Sequence, residues 1–416
     1  MADVQPLRAL HYDLAAAGSL GDLIAPPYDV IDSEQRAALL ARSPNNVVEV
    51  DLPVGDDDPY AQAAERFEAW QRSGVVIRDE EPALWLLEQR YRGPDGAART
   101  RHGFFARVGV EDYGAGRIRP HERTHPGPKE DRLRLTRATR ANLSPIFALY
   151  SDPTGGAYGS LADSAAGAPW GEAADDDGTI NRLWRCANWA TIAATQLVLA
   201  GSELLIADGH HRYETARAYA EEIGGEGEHR YVLMCLVALE DPGLEIFATH
   251  RLVSGLDDAR RLALAEAIER DFDSEAISAD DLAPPPGSGP LELGYLDSDG
   301  PRRLRLRDQA TADSALADMP PPYRELDTGV LEALLLKGAL GLSDDDISHL
   351  NGLGYARDAH EAIALVESGA YDAAFLMRPT PVEQVREIAA TGVNMPPKST
   401  YFFPKVPTGL VFNLLA

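Results

Sequence analysis

The sequence predicts a mixed α/β (α+β) fold in two domains. Short apolar runs typical of buried strands, such as 204–207 and 231–239, alternate with longer segments that have the composition of helices. The chain has 416 residues, which is more than one hydrophobic core ordinarily holds. Hydrophobic residues make up 44% of the chain and charged residues 25%, and both shares are typical of globular proteins. A fibrous or largely disordered chain is therefore not expected.

An antiparallel hairpin is predicted in the first third of the chain. The turn residues 94–96, Pro-Asp-Gly, separate the apolar run 83–89 from the apolar run 103–110. Before them, the run 24–31 is interrupted by two prolines, which predicts a rigid turn that leads into a helix beginning near Ser33.

Apolar periodicity and turn residues predict the remaining elements. They are strands at 46–52, 145–150, 204–207, 231–239 and 373–377, helices at 190–200, 211–223, 359–367 and 382–390, a loop-rich excursion at 152–178 and an exposed linker at 282–290.

The charge of the chain limits the partners that it is expected to bind. The formal net charge is −27, and a strongly acidic surface repels the nucleic-acid backbone, so no nucleic-acid partner is expected. The longest apolar stretch, 189–207, is interrupted by polar residues and is predicted to be a core helix and strand and not a membrane span.

Two further features favour a cytoplasmic protein. Residues 1–5 lack the basic and apolar regions of a secretory signal. Cys186 and Cys235 are far apart and form no CxxC pair, so they are expected to be buried structural thiols in a reducing compartment.

A strand that runs directly into a helix carries the strongest functional signal. Asp208 and Gly209 end the apolar run, and His210, His211 and Arg212 open the helix. The start of a helix has unpaired N–H groups and a partial positive charge, and glycine allows a ligand to approach the backbone closely. These residues predict a phosphate site, at which Asp208 could also hold Mg²⁺. The simpler alternative is that Asp208 caps the helix and the histidines are surface residues.

A basic segment at 117–140 lies within this acidic chain. It holds seven Arg and one Lys against three carboxylates, a net charge of +5, which indicates an anionic ligand. Those carboxylates, Glu122, Glu130 and Asp131, are candidates for a general base or for metal ligands. The alternative is a solvated helix with ion pairs between residues four apart.

The same segment contains a formal match to the zinc-peptidase pattern HExxH, formed by His121, Glu122 and His125. Prolines precede and follow the match directly, and proline disfavours helical backbone in the residue before it. A helix of one turn cannot present two ligands rigidly, so a zinc hydrolase is only a remote alternative.

Lysine is rare in this arginine-rich chain, which makes its positions informative. It occurs only four times, and three of these positions lie in the unusual segments of the sequence, namely at Lys129, Lys398 and Lys405. Such positions indicate places where a compact ammonium group is needed. The patterns of P-loop proteins, dinucleotide-binding Rossmann folds and α/β hydrolases are absent from the sequence.

Four motifs in order resemble the domain-of-unknown-function family 1015, which is related to free-serine kinases. They are APPYDVI at 25–31, HERTHPGPKEDR at 121–132, IADGHHRYETA at 206–216 and MPPKSTYFFPK at 395–405.

The resemblance implies a ParB/sulfiredoxin-like nucleotide-binding core. The expected domains are 1–255 for this core and 256–416 for a C-terminal α/β region whose last segment returns to the site. Sulfiredoxins place a catalytic cysteine where this chain has His210, so reduction of sulfinic acids is not expected. The acidic charge argues against the DNA binding of ParB proteins.

The resemblance also implies an activity, the transfer of a phosphoryl group from ATP or ADP to the hydroxyl of L-serine or of a similar small metabolite. Phosphoryl transfer needs clamped phosphates, neutralised charge and an aligned hydroxyl. We expect residues 209–212 to clamp the phosphates, with Lys129 or Lys398 reaching in. Asp208 is then a metal ligand or a base, Glu122 is the second candidate base with His121 or His125 beside it, and His211 is a further catalytic candidate.

Two other functions use the same phosphate clamp. A nucleotide-hydrolysing switch or sensor would have no acceptor pocket, and a nucleotide-binding scaffold would have no catalytic residue.

Overall fold

The computed structural model describes residues 2–55, 57–113, 117–122, 126–287 and 289–416, with the backbone alone at 126 and 128. The fold is mixed α/β, as predicted. The chain divides into two compact units. The first consists of Met1–Pro120, Thr124–Leu244 and Pro404–Ala416, and the second of His121–Arg123 and Glu245–Phe403. The predicted domains 1–255 and 256–416 stay a prediction.

The first unit contains most of the long strands and a set of helices that surround them. Its strands are β1 (Val4–Gln5), β2 (Leu10–Tyr12), β3 (Val76–Arg78), β4 (Leu84–Arg92), β5 (Ala98–Gly109), β6 (Ile118–Arg119), β7 (Ala141–Asn142), β8 (Ile146–Tyr150), β9 (Gly171–Ala174), β10 (Ile180–Cys186), β11 (Leu204–Asp208) and β12 (Tyr231–Ala238). Its helices are α1 (Leu14–Ala17), α2 (Leu20–Leu23), α3 (Ser33–Arg42), α4 (Val48–Asp51), α5 (Pro59–Arg72), α6 (Pro126–Thr139), α7 (Gly156–Leu161), α8 (Trp189–Leu199) and α9 (His210–Ile223).

A large mixed sheet forms the centre of the first unit. In the described ranges it has nine strands, in the order β6-β11-β8-β12-β5-β4-β10-β9, with β1 paired to β5. The pairs β11–β6 and β12–β8 are parallel, and the other pairs are antiparallel. The buried side chains of β5, β8 and β12 form its main core together with residues of α8 and α9. This sheet holds β11, and therefore the start of α9, in a fixed place.

The second unit is built on a smaller antiparallel sheet. Its strands are β13 (Glu245–Phe247), β14 (His250–Val253), β15 (Phe272–Ala276), β16 (Glu292–Asp297), β17 (Gly300–Leu306), β18 (Leu353–Ala356), β19 (Ala373–Leu376) and β20 (Tyr401–Phe403). Its helices are α10 (Asp258–Asp271), α11 (Gln309–Ala315), α12 (Pro321–Arg324), α13 (Asp327–Leu331), α14 (Asp344–His349), α15 (Ala359–Glu367) and α16 (Val382–Ala390), with a π-helical turn at Glu332–Lys337. The sheet order is β15-β17-β16-β19-β14-β18, and β13 pairs with β20.

The last residues of the chain return to the first unit. There β21 (Asn413–Leu414) pairs with β7, and Thr408 forms a β-bridge with Ala25. Residues at the two ends of the sequence are therefore neighbours in this unit.

Most predicted elements are present, and two predictions are wrong. The predicted strand at 46–52 is helix α4, because the amide oxygen of Asn46 accepts a hydrogen bond from Val48 N–H and starts a helical turn. A short apolar run fits a buried helix as well as a strand, and the buried valines at 47, 48 and 50 pack into a core. The predicted loop-rich excursion at 152–178 contains helix α7 and strand β9. On β9, a Cβ atom at Gly171 would lie 2.9 Å from the Leu20 side chain, so a small residue allows the strand to pack there.

The helices and the two cysteines bear on the predictions of no membrane span and of buried thiols. Among the helices of the described residues, none combines the length and the apolar character that crossing a bilayer requires. Cys186 and Cys235 are both buried free thiols, as the sequence predicted.

Candidate functional site

The start of α9 is the point around which the candidate site is built. Gly209 joins β11 to α9 with φ +96, in the left-handed region that favours glycine, and no side chain caps the helix. A Cβ atom at this position would lie 3.0 Å from the Nε atom of Arg212. Glycine therefore allows the Arg212 guanidinium to fold back over the turn.

The Asp208 carboxylate, at the end of β11, forms ion pairs with two cationic side chains. Its Oδ1 atom accepts a hydrogen bond from the Lys405 ammonium group, and its Oδ2 atom accepts one from the Arg212 guanidinium. The three side chains are between 10% and 17% exposed, so these ion pairs are largely shielded from water. Burial alone raises the pKa of Asp208, but Lys405 and Arg212 outweigh it and hold this pKa well below its usual range.

Arg212 retains a donor that has no hydrogen-bond partner. Its guanidinium also donates to the carbonyl oxygen of Pro145. Its Nε–H is buried and has no partner within the part of the chain that the structure describes. An unsatisfied buried donor is costly, and such donors are found where a ligand or an ion completes the site. Two cations share one carboxylate here, so the local charge is positive and suits an anion.

The other side of Arg212 lines a cavity of about 40 Å³. Its polar wall includes Asp51, Arg132 and Ser144. The Oγ atom of Ser144 donates to Asp51 Oδ2 at 3.0 Å, and Arg132 NH1 donates to the Asp51 carbonyl oxygen at 2.6 Å. Burial raises the pKa of Asp51, and Arg132 opposes that rise.

The motif at 25–31 contributes an aromatic ring to the same region. The Arg132 guanidinium lies 4.1 Å from the centroid of the Tyr28 ring, a cation–π contact. Burial raises the pKa of Tyr28 to about 12, although the charges of Arg212 and Arg132 lower it. Segments that are far apart in sequence thus meet around Arg212.

The predicted histidines open α9. His210 is buried and His211 is half-buried in the first turn of the helix. Both histidines lie between Gly209 and the third residue of α9, so they adjoin Asp208 and Arg212 in the sequence.

The predicted residues of α6 make other contacts. The Nζ atom of Lys129 lies 3.5 Å from Glu214 Oε2 on α9. Glu130 pairs with Arg134 one turn later at 3.2 Å, and both side chains are more than half exposed, which is the solvated helix that the sequence left as an alternative. Asp131 accepts hydrogen bonds from Arg132 at 2.7 Å and from the Tyr60 hydroxyl at 2.8 Å.

The remaining predicted residues lie together in the second unit. The Glu122 Oε1 atom accepts a hydrogen bond from the Lys398 backbone N–H at 3.3 Å. His121 is buried, and its Nε2 atom lies 2.9 Å from the Thr400 Oγ1 atom. His125 lies outside the described residues. In the described ranges there is no group of three or more His, Cys, Asp and Glu side chains that could hold a metal ion.

Comparison with known proteins identifies the family. The sequence profile of the family described as "Protein of unknown function (DUF1015)" matches residues 4–329. The chain belongs to the DUF1015 family. The resemblance that the sequence predicted is thereby confirmed, although the motif at 395–405 lies beyond the matched residues.

Several solved structures are similar to this DUF1015 protein at low identity, whereas no curated protein matches it. A conserved hypothetical protein from Pyrococcus furiosus is 14% identical, with 74% of this chain and 93% of that chain covered and a TM-score of 0.37. A free serine kinase variant in complex with ADP is 11% identical, with 72% and 87% covered and a TM-score of 0.38. SbnI with a C-terminal truncation, from Staphylococcus aureus, is 13% identical, with 73% and 85% covered and a TM-score of 0.38.

Sequence reasoning missed several residues of the site in this DUF1015 protein. Lys405 forms an ion pair with Asp208, whereas the sequence analysis assigned Lys398 of the same motif to the phosphate clamp. Arg132 and Asp51 line the cavity beside Arg212. The rarity of lysine was a signal for Lys405, but Asp51 is one of many acidic residues and the sequence did not distinguish it.

Proposed function

We propose that this DUF1015 protein is a phosphotransferase. In the proposed reaction the terminal phosphoryl group of ATP or ADP passes to the hydroxyl of free L-serine or of a similar small metabolite. The main support for phosphate binding is the arrangement at the start of α9, where Arg212 and Lys405 converge on Asp208. The support for the acceptor is the resemblance of the four motifs to a family that is related to free-serine kinases.

In the proposed step, the hydroxyl oxygen of the acceptor forms a bond to the terminal phosphorus atom. The bond from this phosphorus to the bridging oxygen breaks, and the departing nucleotide keeps the electron pair. The hydroxyl proton passes to a base. Charge that collects on the phosphoryl and bridging oxygens needs fixed positive groups. We assign this role to Arg212 and Lys405, with the N–H groups at the start of α9, whereas Lys129 and Lys398 remain proposed additions.

The low pKa of Asp208 bears on the choice of base. A carboxylate that is held ionised by two cations is a weak proton acceptor. We therefore propose that Asp208 mainly orients Arg212 and Lys405. Glu122 and His211 then remain the candidates for the base.

The same ion pairs bear on the binding of Mg²⁺. Both oxygens of Asp208 already accept hydrogen bonds from cationic groups, so the charge of this carboxylate is already compensated. Mg²⁺ in nucleotide sites is commonly held by the phosphates, by water and by one or two carboxylates. We propose that Asp208 would contribute little to holding Mg²⁺, which would be held mainly by the nucleotide phosphates and would neutralise part of their charge.

Phosphorus NMR tests this proposal directly. The purified protein is incubated with Mg²⁺, L-serine and either ATP or ADP, and the expected product is a serine phosphomonoester. Arg212→Met removes a cationic donor that we propose contacts the phosphoryl oxygens, so we expect the rate to fall about a hundredfold. Arg137→Met is the control, because Arg137 makes exposed ion pairs with Glu222 on the surface of the same unit.

The alternatives give different results. Loss of nucleotide without phosphoserine would favour a nucleotide-hydrolysing switch or sensor. The serine assignment fails if neither nucleotide is consumed in the presence of serine. A rate in Arg212→Met equal to that in Arg137→Met would remove Arg212 from the phosphate clamp.

A further inference from the structure

Three buried polar side chains cross the central sheet of the first unit. Asn181 on β10, Gln89 on β4 and Arg101 on β5 are register partners, and their exposed fractions are 0%, 0% and 1%. The Gln89 Nε2 atom donates to Asn181 Oδ1 at 2.8 Å, and the Arg101 Nε atom donates to Gln89 Oε1 at 3.1 Å. Partners in adjacent strands thus form a continuous polar row within an apolar sheet.

This row holds the backbone of the segment that contains Lys405. Gln89 Nε2 donates a hydrogen bond to the Lys405 carbonyl oxygen at 3.0 Å. Arg101 NH2 donates to the Pro404 carbonyl oxygen at 2.5 Å. The two carbonyl groups belong to consecutive residues, so the backbone of Lys405 is fixed from the sheet while its ammonium group contacts Asp208.

Burial of the Arg101 side chain at this position is energetically unfavourable. Its guanidinium is buried against the ring of Phe147, 4.5 Å from the ring centroid, and burial lowers its pKa to about 10. The charge of Asp241 opposes this lowering of the pKa, but in the described parts of the chain no carboxylate lies within ion-pair distance of Arg101, and its NH1 group has no hydrogen-bond partner. A buried charge without a direct ion-pair partner is destabilising, and an apolar side chain of similar size would stabilise the core more. The position of Arg101 is therefore better explained by the segment that it holds.

We propose that Arg101 and Gln89 are positioning residues for Lys405. They hold the carbonyl oxygens of Pro404 and Lys405, and so keep the Lys405 ammonium group on the carboxylate of Asp208. Neither residue is assigned a contact with substrate. The consequence for phosphate binding rests on the proposed function, whereas the placement of Lys405 does not.

The rarity of lysine allows this proposal to be measured residue by residue. Brief acetylation of the native protein, followed by peptide mass spectrometry, gives a separate rate for each of the four lysines. Lys405 is 17% exposed and ion-paired, whereas the side chains of Lys129 and Lys337 are 38% and 36% exposed. The other lysines therefore serve as internal references in the same sample.

Two variants separate the two hydrogen bonds. In Arg101→Met, which keeps a side chain of similar length, we expect the acetylation rate of Lys405 to rise about tenfold, the change that corresponds to one hydrogen bond from a charged donor. In Gln89→Leu we expect a smaller rise of about threefold, because the lost donor is neutral. Arg303→Met is the matched control, since Arg303 is a buried arginine of the second unit that also donates to a backbone carbonyl.

A selective rise at Lys405 supports the proposal, and an unchanged rate at Lys405 in both variants overturns it. A similar rise at all four lysines also overturns it, because general loosening would then explain the result. Acetylation needs no turnover, so the proposed function can fail while this result stands. If phosphoserine forms and Lys405 stays protected in both Arg101→Met and Gln89→Leu, the positioning role is wrong and the proposed function stands.

Discussion

Replacing Gly209 with alanine tests whether the turn exists to accommodate Arg212. A residue with a Cβ atom costs about 1 kcal/mol in the left-handed region, after its lower entropy in the unfolded chain is counted. At Gly209 the new Cβ would also meet the Arg212 guanidinium, at 3.0 Å from Nε, 3.1 Å from Cζ and 3.2 Å from NH2. The guanidinium must then shift by a few tenths of an ångström, which weakens its hydrogen bond to Asp208. A hydrogen bond between charged groups contributes about 1.5–3 kcal/mol when it is intact.

Gly155 provides a matched control in the same unit. It precedes α7 as Gly209 precedes α9, its backbone is also left-handed at φ 66 and ψ 20, and a Cβ atom there would meet nothing within 4 Å. Gly155→Ala therefore carries the backbone cost without crowding an arginine. We expect Gly155→Ala to lose about 1 kcal/mol of stability and Gly209→Ala to lose more, because the crowded guanidinium also weakens its hydrogen bond to Asp208.

The assay compares urea denaturation with the affinity for ADP, measured by titration calorimetry. We expect the Kd for ADP to rise about tenfold in Gly209→Ala, because Arg212 is displaced from the proposed phosphate clamp, and to stay unchanged in Gly155→Ala; a tenfold change corresponds to about 1.4 kcal/mol. Equal affinities in the two variants would refute the reasoning, because the crowding of Arg212 would then have no effect on phosphate binding.

Two more predictions concern titratable groups. The folded-state pKa of Asp208 lies below the unfolded value of about 3.9, so its ion pairs stabilise the fold above that pH and the contribution is lost as pH falls toward the folded pKa. Asp208→Asn should therefore cost about 3 kcal/mol at neutral pH, and the difference from the wild type in urea denaturation should shrink below about pH 4; a constant difference would contradict the pairing. Burial raises the pKa of Cys235 to about 12, and Cys186 is also buried. Neither thiol should react with Ellman's reagent before denaturant is added, and rapid reaction of either thiol in the native protein would show that the burial is wrong.

The local sequence predicted the centre of the candidate site. The apolar strand, the Asp-Gly turn and the polar start of α9 are consecutive in the chain, so their placement depends on backbone preferences that act over a few residues. For the same reason β11, β12 and α9 were predicted to within one residue, whereas α5 and α10 were not predicted. The ordered set of four motifs was enough to predict the family, which the match over residues 4–329 confirmed.

The partners of that turn were decided by the tertiary structure. Lys398 and Lys405 lie in one motif, yet Lys398 belongs to the second unit and Lys405 to the first, where it meets Asp208. The two lysines are seven positions apart, and only Lys405 lies in the segment whose backbone carbonyl groups accept hydrogen bonds from Gln89 and Arg101. Nothing in the local pattern of the motif encodes that difference.

The buried polar row of Asn181, Gln89 and Arg101 is a second feature that the local sequence could not predict. Gln89 and Arg101 appear in the sequence as ordinary polar residues within strands, and a shift of one residue in register would turn them to the opposite face of the sheet. The sequence by itself determined where the Asp-Gly turn before α9 lies and which family the chain belongs to, because both depend on motifs of consecutive residues. Strand register and the return of the final segment decided what surrounds that turn, because hydrogen bonds between distant segments form only when the whole sheet is assembled.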